Sequence, residues 1–474
     1  MAAECVVVGA GISGLSLGHA LLERGIEPLV LESAKQVGGK IGSEVANGFL
    51  TERGPAGFLD RDGAITALID RLGLRSQLVD ALPASSKRAL LLNGQIVPIP
   101  HSPLELIRSP LLSARGKLRL LAEPLIARGK PTSESVAHFA RRRFGAESAE
   151  RLFYPLVSGL YAGDPERIDV ANAFPWFKDL ERNHRSIILG ALEEMIAHRA
   201  SQPQLRTFRR GMQELPNALE RALAHRVEHH ARVDAIERVR TGWKVSIVHQ
   251  DARTISYVPM IALAVPAYEA ARLMAPLDAR AAQALRAIEY APVSLVNLGF
   301  ADTPKTSKLE AYGFLVARSE PSSALGVLGA VFQSAAFPER ALAGTSLVSV
   351  RLGGLCNPNL AENSDEELIE LSQQMLGGIL SLGETVFSRV VRHSQALPQY
   401  GLRHSEWIER IEASERALPG LFFVGNAYRG LGVPDCVRNA ERVAARISAV
   451  RDQLSYPMKF FTEGRDESNR HPQA

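Results

Sequence analysis

The residues with the clearest chemistry are Gly9-Ala10-Gly11-Ile12-Ser13-Gly14. They follow the apolar run Cys5–Val8 and open a helical pattern carrying Leu15, Leu17, Leu21 and Leu22. Glycines at this spacing allow a tight turn and let bare backbone approach a pyrophosphate, whose charge rests on the first amides of the helix. Glu32 closes the next apolar run; its carboxylate can accept from a ribose 2′-OH and would repel a 2′-phosphate. Alone, the glycine pattern could be an ordinary turn. With strand, helix and acid in order, it reads as a dinucleotide site. Three further features favour FAD over NAD. Gly38-Gly39-Lys40 brings a second glycine approach with a cation. Val424-Gly425-Asn426 and Gly432-Val433 form another strand-to-helix junction, where backbone can face a flavin and a helix N-terminus can favour its N1/O2 edge. No second GxGxxG is present to serve a nicotinamide donor, so the electrons are expected from the substrate itself.

Other chemistries find no residues to carry them. Cys5, Cys356 and Cys436 are far apart with no CxxC, which argues against a disulfide framework, a redox dithiol or a zinc site. The twelve histidines contain no HExxH, and His229-His230 reads as a surface pair. Neither a catalytic triad nor a pair of carboxylates stands out, and no metal is expected.

The elements that must position these residues are interleaved. Strand, glycine turn, helix and strand fill residues 4–32. From 85 to 204 the chain is mostly helical and broken by prolines, the 90–99 segment excepted. Strands return between 227 and 265 and again between 290 and 355, and helical spacing fills 364–381. A strand near 421–425 runs into a final helix from about Asp435. A nucleotide-binding fold therefore begins at the N-terminus, is interrupted twice and closes near residue 450. At 474 residues, with 46% hydrophobic and 22% charged content, the chain can build two or three domains and a large core. Net charge is only +4, but residues 85–130 hold eight Lys or Arg against two Glu. Such a patch suits an anionic lipid surface, a nucleic acid or an acidic substrate, or is simply a solvated helical face. No apolar run is long enough to span a bilayer, and the first strand leaves no room for a removable signal, so a cytoplasmic or peripheral membrane protein is expected.

The motifs together resemble the flavin amine oxidase superfamily and, within it, the protoporphyrinogen oxidase family, from about residue 3 to 447. VVVGAGISGL (6–15) and LVLES (29–33) are shared across the superfamily. ERGPAGFLDR (52–61), which contains Gly54 and Pro55, is similar to the segment that lines the flavin. GLYAGDP (159–165), APVSLVNLGF (291–300), LPQYGLRH (397–404) and GNAYRGLGVPDCVRNA (425–440) are more specific and are similar to the porphyrinogen-oxidising branch.

The resemblance implies an α/β fold in three parts. A discontinuous Rossmann-like FAD domain takes 1–85, 205–265 and 410–455. A mainly helical, membrane-associating domain takes 86–204, an α+β substrate domain takes 266–409, and 456–474 is a disordered tail. It places Gly9, Gly11, Ile12, Ser13, Gly14, Glu32, Gly38, Gly39 and Lys40 on FAD, Val233 at the adenine, and Gly425, Asn426, Gly432 and Val433 near the isoalloxazine. Arg88 falls on the arginine that pairs with a substrate propionate, and Gly159 on a glycine facing the pyrrole nitrogens. By sequence alone Arg88 would be a surface arginine. Three positions depart from the pattern: Arg210 and Arg403 replace glycines, and Arg351 replaces an apolar residue that packs on the porphyrin. Arg351 either grips a second carboxylate or turns outward to a protein acid, and the latter is favoured because a buried unpaired guanidinium is costly.

The activity implied is six-electron oxidation of protoporphyrinogen IX to protoporphyrin IX, with dioxygen reoxidising the flavin. Hydride loss from a meso carbon leaves a cation spread over two pyrroles, and an N–H can then deprotonate without a strong side-chain base. Rival readings are coproporphyrinogen III oxidation, amine oxidation and a non-catalytic FAD-binding scaffold. The expected partners are the porphyrinogen, dioxygen and a cytoplasmic membrane surface; a homodimer is left open, and no nucleic acid is expected.

Overall fold

A computed structural model describes residues 3–83, 87–100, 103–129, 133–197, 204–250, 252–301 and 311–462. Cys5–Val8 is apolar at every position because it is the central strand of a parallel sheet covered on both faces. The strand order is Val227–Glu228, Pro28–Leu31, Cys5–Val8, Met260–Leu263, Leu421–Phe423, and every pairing is parallel. One face packs on helices Ile12–Leu22, Glu214–Leu223 and Val433–Thr462. The other is covered by an antiparallel sheet of Ala231–Val239, Gly242–His249 and Ala252–Val258, with helices Ala267–Met274 and Ala279–Arg286. After Cys5–Val8 the chain lays its next parallel strand on one side and Met260–Leu263 on the other. The carboxyl end of Cys5–Val8 is thus a topological switch point, where this class of sheet opens a crevice for ligands.

The two long excursions build the rest. A seven-stranded sheet has the order Thr385–Pro398, Tyr290–Ala301, Thr345–Gly353, Val327–Phe332, Gly313–Val316, Ala89–Leu92, Gln95–Pro98. Its pairings are antiparallel except that of Gly313–Val316 with Ala89–Leu92. One face rests on helix Asp365–Gly377. Helix Tyr154–Tyr161 lies against strands Gly313–Val316 and Val327–Phe332. This helix belongs to a cluster packed around Phe139, Phe144, Phe153 and Phe177. At the base of the cluster Arg143 and Glu123 form a fully buried ion pair. Arg143 also donates to the carbonyls of Ile126 and Arg185, and Glu123 accepts from Ser186 and the Ile187 amide. Those extra bonds are what make burial of both charges tolerable.

Three expectations change. The hairpin Ala89–Leu92/Gln95–Pro98 is part of the seven-stranded sheet rather than the helical segment. Helices Ala267–Met274 and Ala279–Arg286 share a core with the parallel sheet, not with the seven-stranded sheet. The tail expected to be disordered from 456 begins as helix, since Val433–Thr462 is continuous; 463–474 lie outside the described residues. Among the described residues no helix is long and apolar enough to cross a membrane.

Candidate active site

The glycine loop leaves the switch point. Gly9 has φ +103°, a region open to glycine, and a side chain there would sit 2.9 Å from the Ala264 carbonyl. A Cβ on Gly14 would lie 1.9 Å from the Gly9 carbonyl, so this glycine lets the helix close onto the loop. Gly11 differs: a Cβ there meets nothing within 4 Å. Its backbone bridges to Gly38, and Gly39 lies against its Cα at 3.3 Å from the position of an added Cβ. Helix Ile12–Leu22 starts without a side-chain cap, so its first amides are left for a ligand. Ser13 is buried and hydrogen-bonded to the Cys436 thiol, which joins this helix to the C-terminal one.

Glu32 sits at the carboxyl end of the adjacent strand. Its two oxygens accept from the amides of Ala10 and Ala34, each at 2.8 Å. A carboxylate has lone pairs beyond these, so it can hold ribose hydroxyls while fixed in place. The Ala231 amide donates to the Glu32 carbonyl at 2.8 Å. That bond sets Val233 beside the acid, at a register shift between Val233 and Ala235. The Val233 carbonyl accepts from Arg272 at 2.8 Å.

Lys40 has no acidic partner among the described residues. It donates to the Ala396 carbonyl at 2.6 Å and lies over the Tyr290 ring, 5.2 Å from the centroid. Burial pushes its pKa down to about 8. Gly54 presses on the same turn, an added Cβ falling 2.2 Å from the Lys40 carbonyl. The Arg53 carbonyl, one residue before Gly54-Pro55, accepts from His393 Nε2 at 2.6 Å. At the other junction Gly425 has φ +148°, and the Asn426 carbonyl accepts from the Tyr400 hydroxyl at 2.6 Å. Gly432 donates to Asp435 Oδ2 at 3.0 Å, and Val433 begins the last helix. The Val424 amide bonds to the Leu263 carbonyl and the Ala264 amide to the Val8 carbonyl, so both glycine junctions occupy one edge of one sheet.

Of the three expected substrate residues, Gly159 and Arg351 are in direct contact. Arg351 Nη1 donates to the Gly159 carbonyl at 2.7 Å, and its Nε is buried without a partner. Gly159 is pressed on by Leu315, 2.3 Å from the position of an added Cβ. Arg88 is exposed as a residue, yet burial lowers its guanidinium pKa; Tyr312 raises it and Arg61 lowers it. Burial also lowers the pKa of Arg351; Tyr312 raises it and Arg88 lowers it. The favoured outward turn of Arg351 to a protein acid is not what the structure shows: its partner is a carbonyl. Arg403 and Arg210 are elsewhere. Arg403 pairs with Glu406 on the surface, and Arg210 lines an open cleft of about 500 Å³ with Arg209 and Arg221. Tyr290, Tyr312, Tyr400 and His393 escaped the sequence reading, since each reaches the site across a long stretch of chain and none belongs to a glycine motif.

The model of the flavin containing amine oxidoreductase family matches residues 12–448. Spinach (Spinacia oleracea) chloroplastic protoporphyrinogen oxidase 1 is 31% identical over 95% of this chain and 85% of its own. Human protoporphyrinogen oxidase is 32% identical over 94% and 98%. Coproporphyrinogen III oxidase of Bacillus subtilis is 28% identical over 95% and 98%. Among solved structures, an Exiguobacterium protein provisionally named protoporphyrinogen oxidase superposes with TM-score 0.81 at 24% identity, covering 95% and 99%. Reduced UDP-galactopyranose mutase superposes with TM-score 0.71 at 14% identity, covering 94% and 96%. The open space at Gly11, the uncapped helix and the fixed Glu32 carboxylate suit the pyrophosphate and ribose of FAD. The chain belongs to the flavin containing amine oxidoreductase family and is an FAD-dependent oxidoreductase.

Proposed function

We propose that this chain oxidises a porphyrinogen to the porphyrin in tetrapyrrole biosynthesis. The observation that carries the reading is the contact of Arg351 with the Gly159 carbonyl, with Arg88 among the charges that act on Arg351, in a chain whose near-full-length relatives are named for porphyrinogen oxidation. Arg88 holds a substrate carboxylate, for which a guanidinium fork is suited. The Gly159 carbonyl faces the pyrrole nitrogens; a carbonyl has two lone pairs, so it can take an N–H while it holds Arg351. The bound flavin supplies the hydride acceptor. The chain's own residues orient the macrocycle and exclude water, and the proton leaves from pyrrole nitrogen rather than to a strong base. Six electrons and six protons pass to three dioxygen molecules, giving three of hydrogen peroxide.

Residues 86–204 carry a membrane-docking face in this reading. Leu118, Leu121 and Leu125 are 69%, 65% and 81% exposed, beside Arg115 and Lys117. Apolar side chains with cations at their margin suit the surface of an anionic bilayer. The protein would work there, on the cytoplasmic side. Aerobic incubation with protoporphyrinogen IX and with coproporphyrinogen III, following porphyrin fluorescence and peroxide, tests the activity. Turnover of neither would overturn it.

A further inference from the structure

Two guanidinium groups, Arg88 and Arg351, act on each other electrostatically here, and among the described residues neither is paired with an acid. The sheet explains how. Leu295, Arg351, Gly329, Leu315 and Leu90 stand in register across five strands, so their side-chain positions share one face. Gly329 adds no side chain to that row, which leaves room between Arg351 and Leu315. Arg88 precedes Leu90 by two positions and so has the same parity. The Tyr312 amide donates to the Lys87 carbonyl at 3.0 Å, which fixes Tyr312 beside Arg88. Its phenol lies within electrostatic reach of both Arg88 and Arg351. One Nη of Arg351 is spent on Gly159, while its Nε is enclosed with nothing to donate to. Enclosing the Arg351 guanidinium without a counter-charge is unfavourable, and an anionic ligand removes that cost.

We propose that Arg351 and Tyr312 form a second carboxylate anchor beside Arg88, so that the site holds its tetrapyrrole by two carboxylates rather than one. The inference rests on the porphyrinogen reading. It makes Arg351 a specificity residue for polycarboxylate tetrapyrroles and gives the Tyr312 hydroxyl the role of a neutral donor to the same carboxylate. A purely structural Arg351, tying helix Tyr154–Tyr161 to the sheet, would serve free acids and esters alike.

Binding of product to the oxidised, flavin-loaded enzyme separates these roles. The probes are protoporphyrin IX, coproporphyrin III and protoporphyrin IX dimethyl ester, titrated by fluorescence quenching. Loss of one charge-assisted contact weakens binding roughly 10- to 100-fold. Arg351→Met should therefore lose affinity of that order for both free acids and little for the diester. Arg351→Lys should recover part of it, and Tyr312→Phe should lose a few-fold for the acids only. Arg88→Ala combined with Arg351→Met should multiply the two losses, because separate carboxylates are held. Free-acid affinity within twofold of wild type in Arg351→Met, or an equal loss for the diester, would overturn the second anchor. Wild-type enzyme that oxidises porphyrinogen while Arg351→Met binds normally would sink this inference alone. Wild-type enzyme that neither binds nor oxidises any tetrapyrrole would instead overturn the function.

Discussion

Gly11 and Gly14 lie on the same loop and should fail in opposite ways when a side chain is added. At Gly14 the new atom meets the Gly9 carbonyl at 1.9 Å, so Gly14→Ala strains the folded protein itself, by about 1–3 kcal/mol. At Gly11 nothing of the protein stands in the way. Gly11→Val should therefore give folded, thermally stable but colourless protein, its side chain filling the space meant for the pyrophosphate. Full flavin absorbance in Gly11→Val would remove the loop from the cofactor site. Lys40 provides a pH signature. Its pKa is about 8 in the fold against 10.5 ordinarily, so between those values the unfolded chain binds more protons than the native one. Stability from this group thus rises with pH across that window, and the cost of the buried charge is fully present below it. In flavin-free protein, denaturant titrations of wild type and Lys40→Met should converge from pH 8 to 10.5. The relative gain for wild type should be of the order of 2–3 kcal/mol. A constant difference across that range would mean that Lys40 is not desolvated.

At the scale of elements, the hairpin that carries Arg88 depends on a single buried acid. Asn93 and Gly94 form the turn with φ of +53° and +69°, the left-handed pair that a two-residue hairpin needs. Both of their amides donate to the carboxylate of Glu320, Gly94 at 3.3 Å. Glu320→Ala should cost about 1–3 kcal/mol in stability and raise KM, because the strand presenting Arg88 loses its fixed turn. A drop in stability with unchanged KM would show that the turn does not position Arg88. The Asn-Gly signal is local, so a break in the helical segment at 90–99 was legible; which sheet it would join was not. Its partner Gly313–Val316 lies more than two hundred residues later, and pairing at that range leaves no mark in either segment. The same reason separates the two halves of the site. Strand, glycine turn, helix and Glu32 are contiguous and could be read. Lys40 on Ala396, His393 on the Arg53 carbonyl and Arg351 on the Gly159 carbonyl exist only once the chain has folded back on itself. The cost of burying Arg351 pointed toward a protein acid, and what overrode it was a carbonyl supplied by a neighbouring helix.

On the scale of the whole molecule, both chain ends and the middle meet along the edge of one parallel sheet. The cofactor loops are therefore set by strands distant in sequence, while the excursions are free to build the seven-stranded sheet and a helical cluster. The amphipathic helix Ala114–Leu121 with Leu125 beyond it is where that face would meet a bilayer. Replacing Leu118, Leu121 and Leu125 by Ser together should leave the fold intact, since all three are exposed, and should lower sedimentation with anionic vesicles several-fold. Equal recovery of wild type and variant, at low and at high salt, would place these leucines outside any docking surface. If the electrons of this oxidoreductase come from a porphyrinogen, an anaerobic mixing experiment will show it. Flavin-loaded protein is mixed with stoichiometric protoporphyrinogen IX and, separately, coproporphyrinogen III, with flavin absorbance recorded. At least one of them should bleach the flavin, and admitting air should restore the yellow colour with release of peroxide. A flavin that stays fully oxidised with both substrates would contradict it.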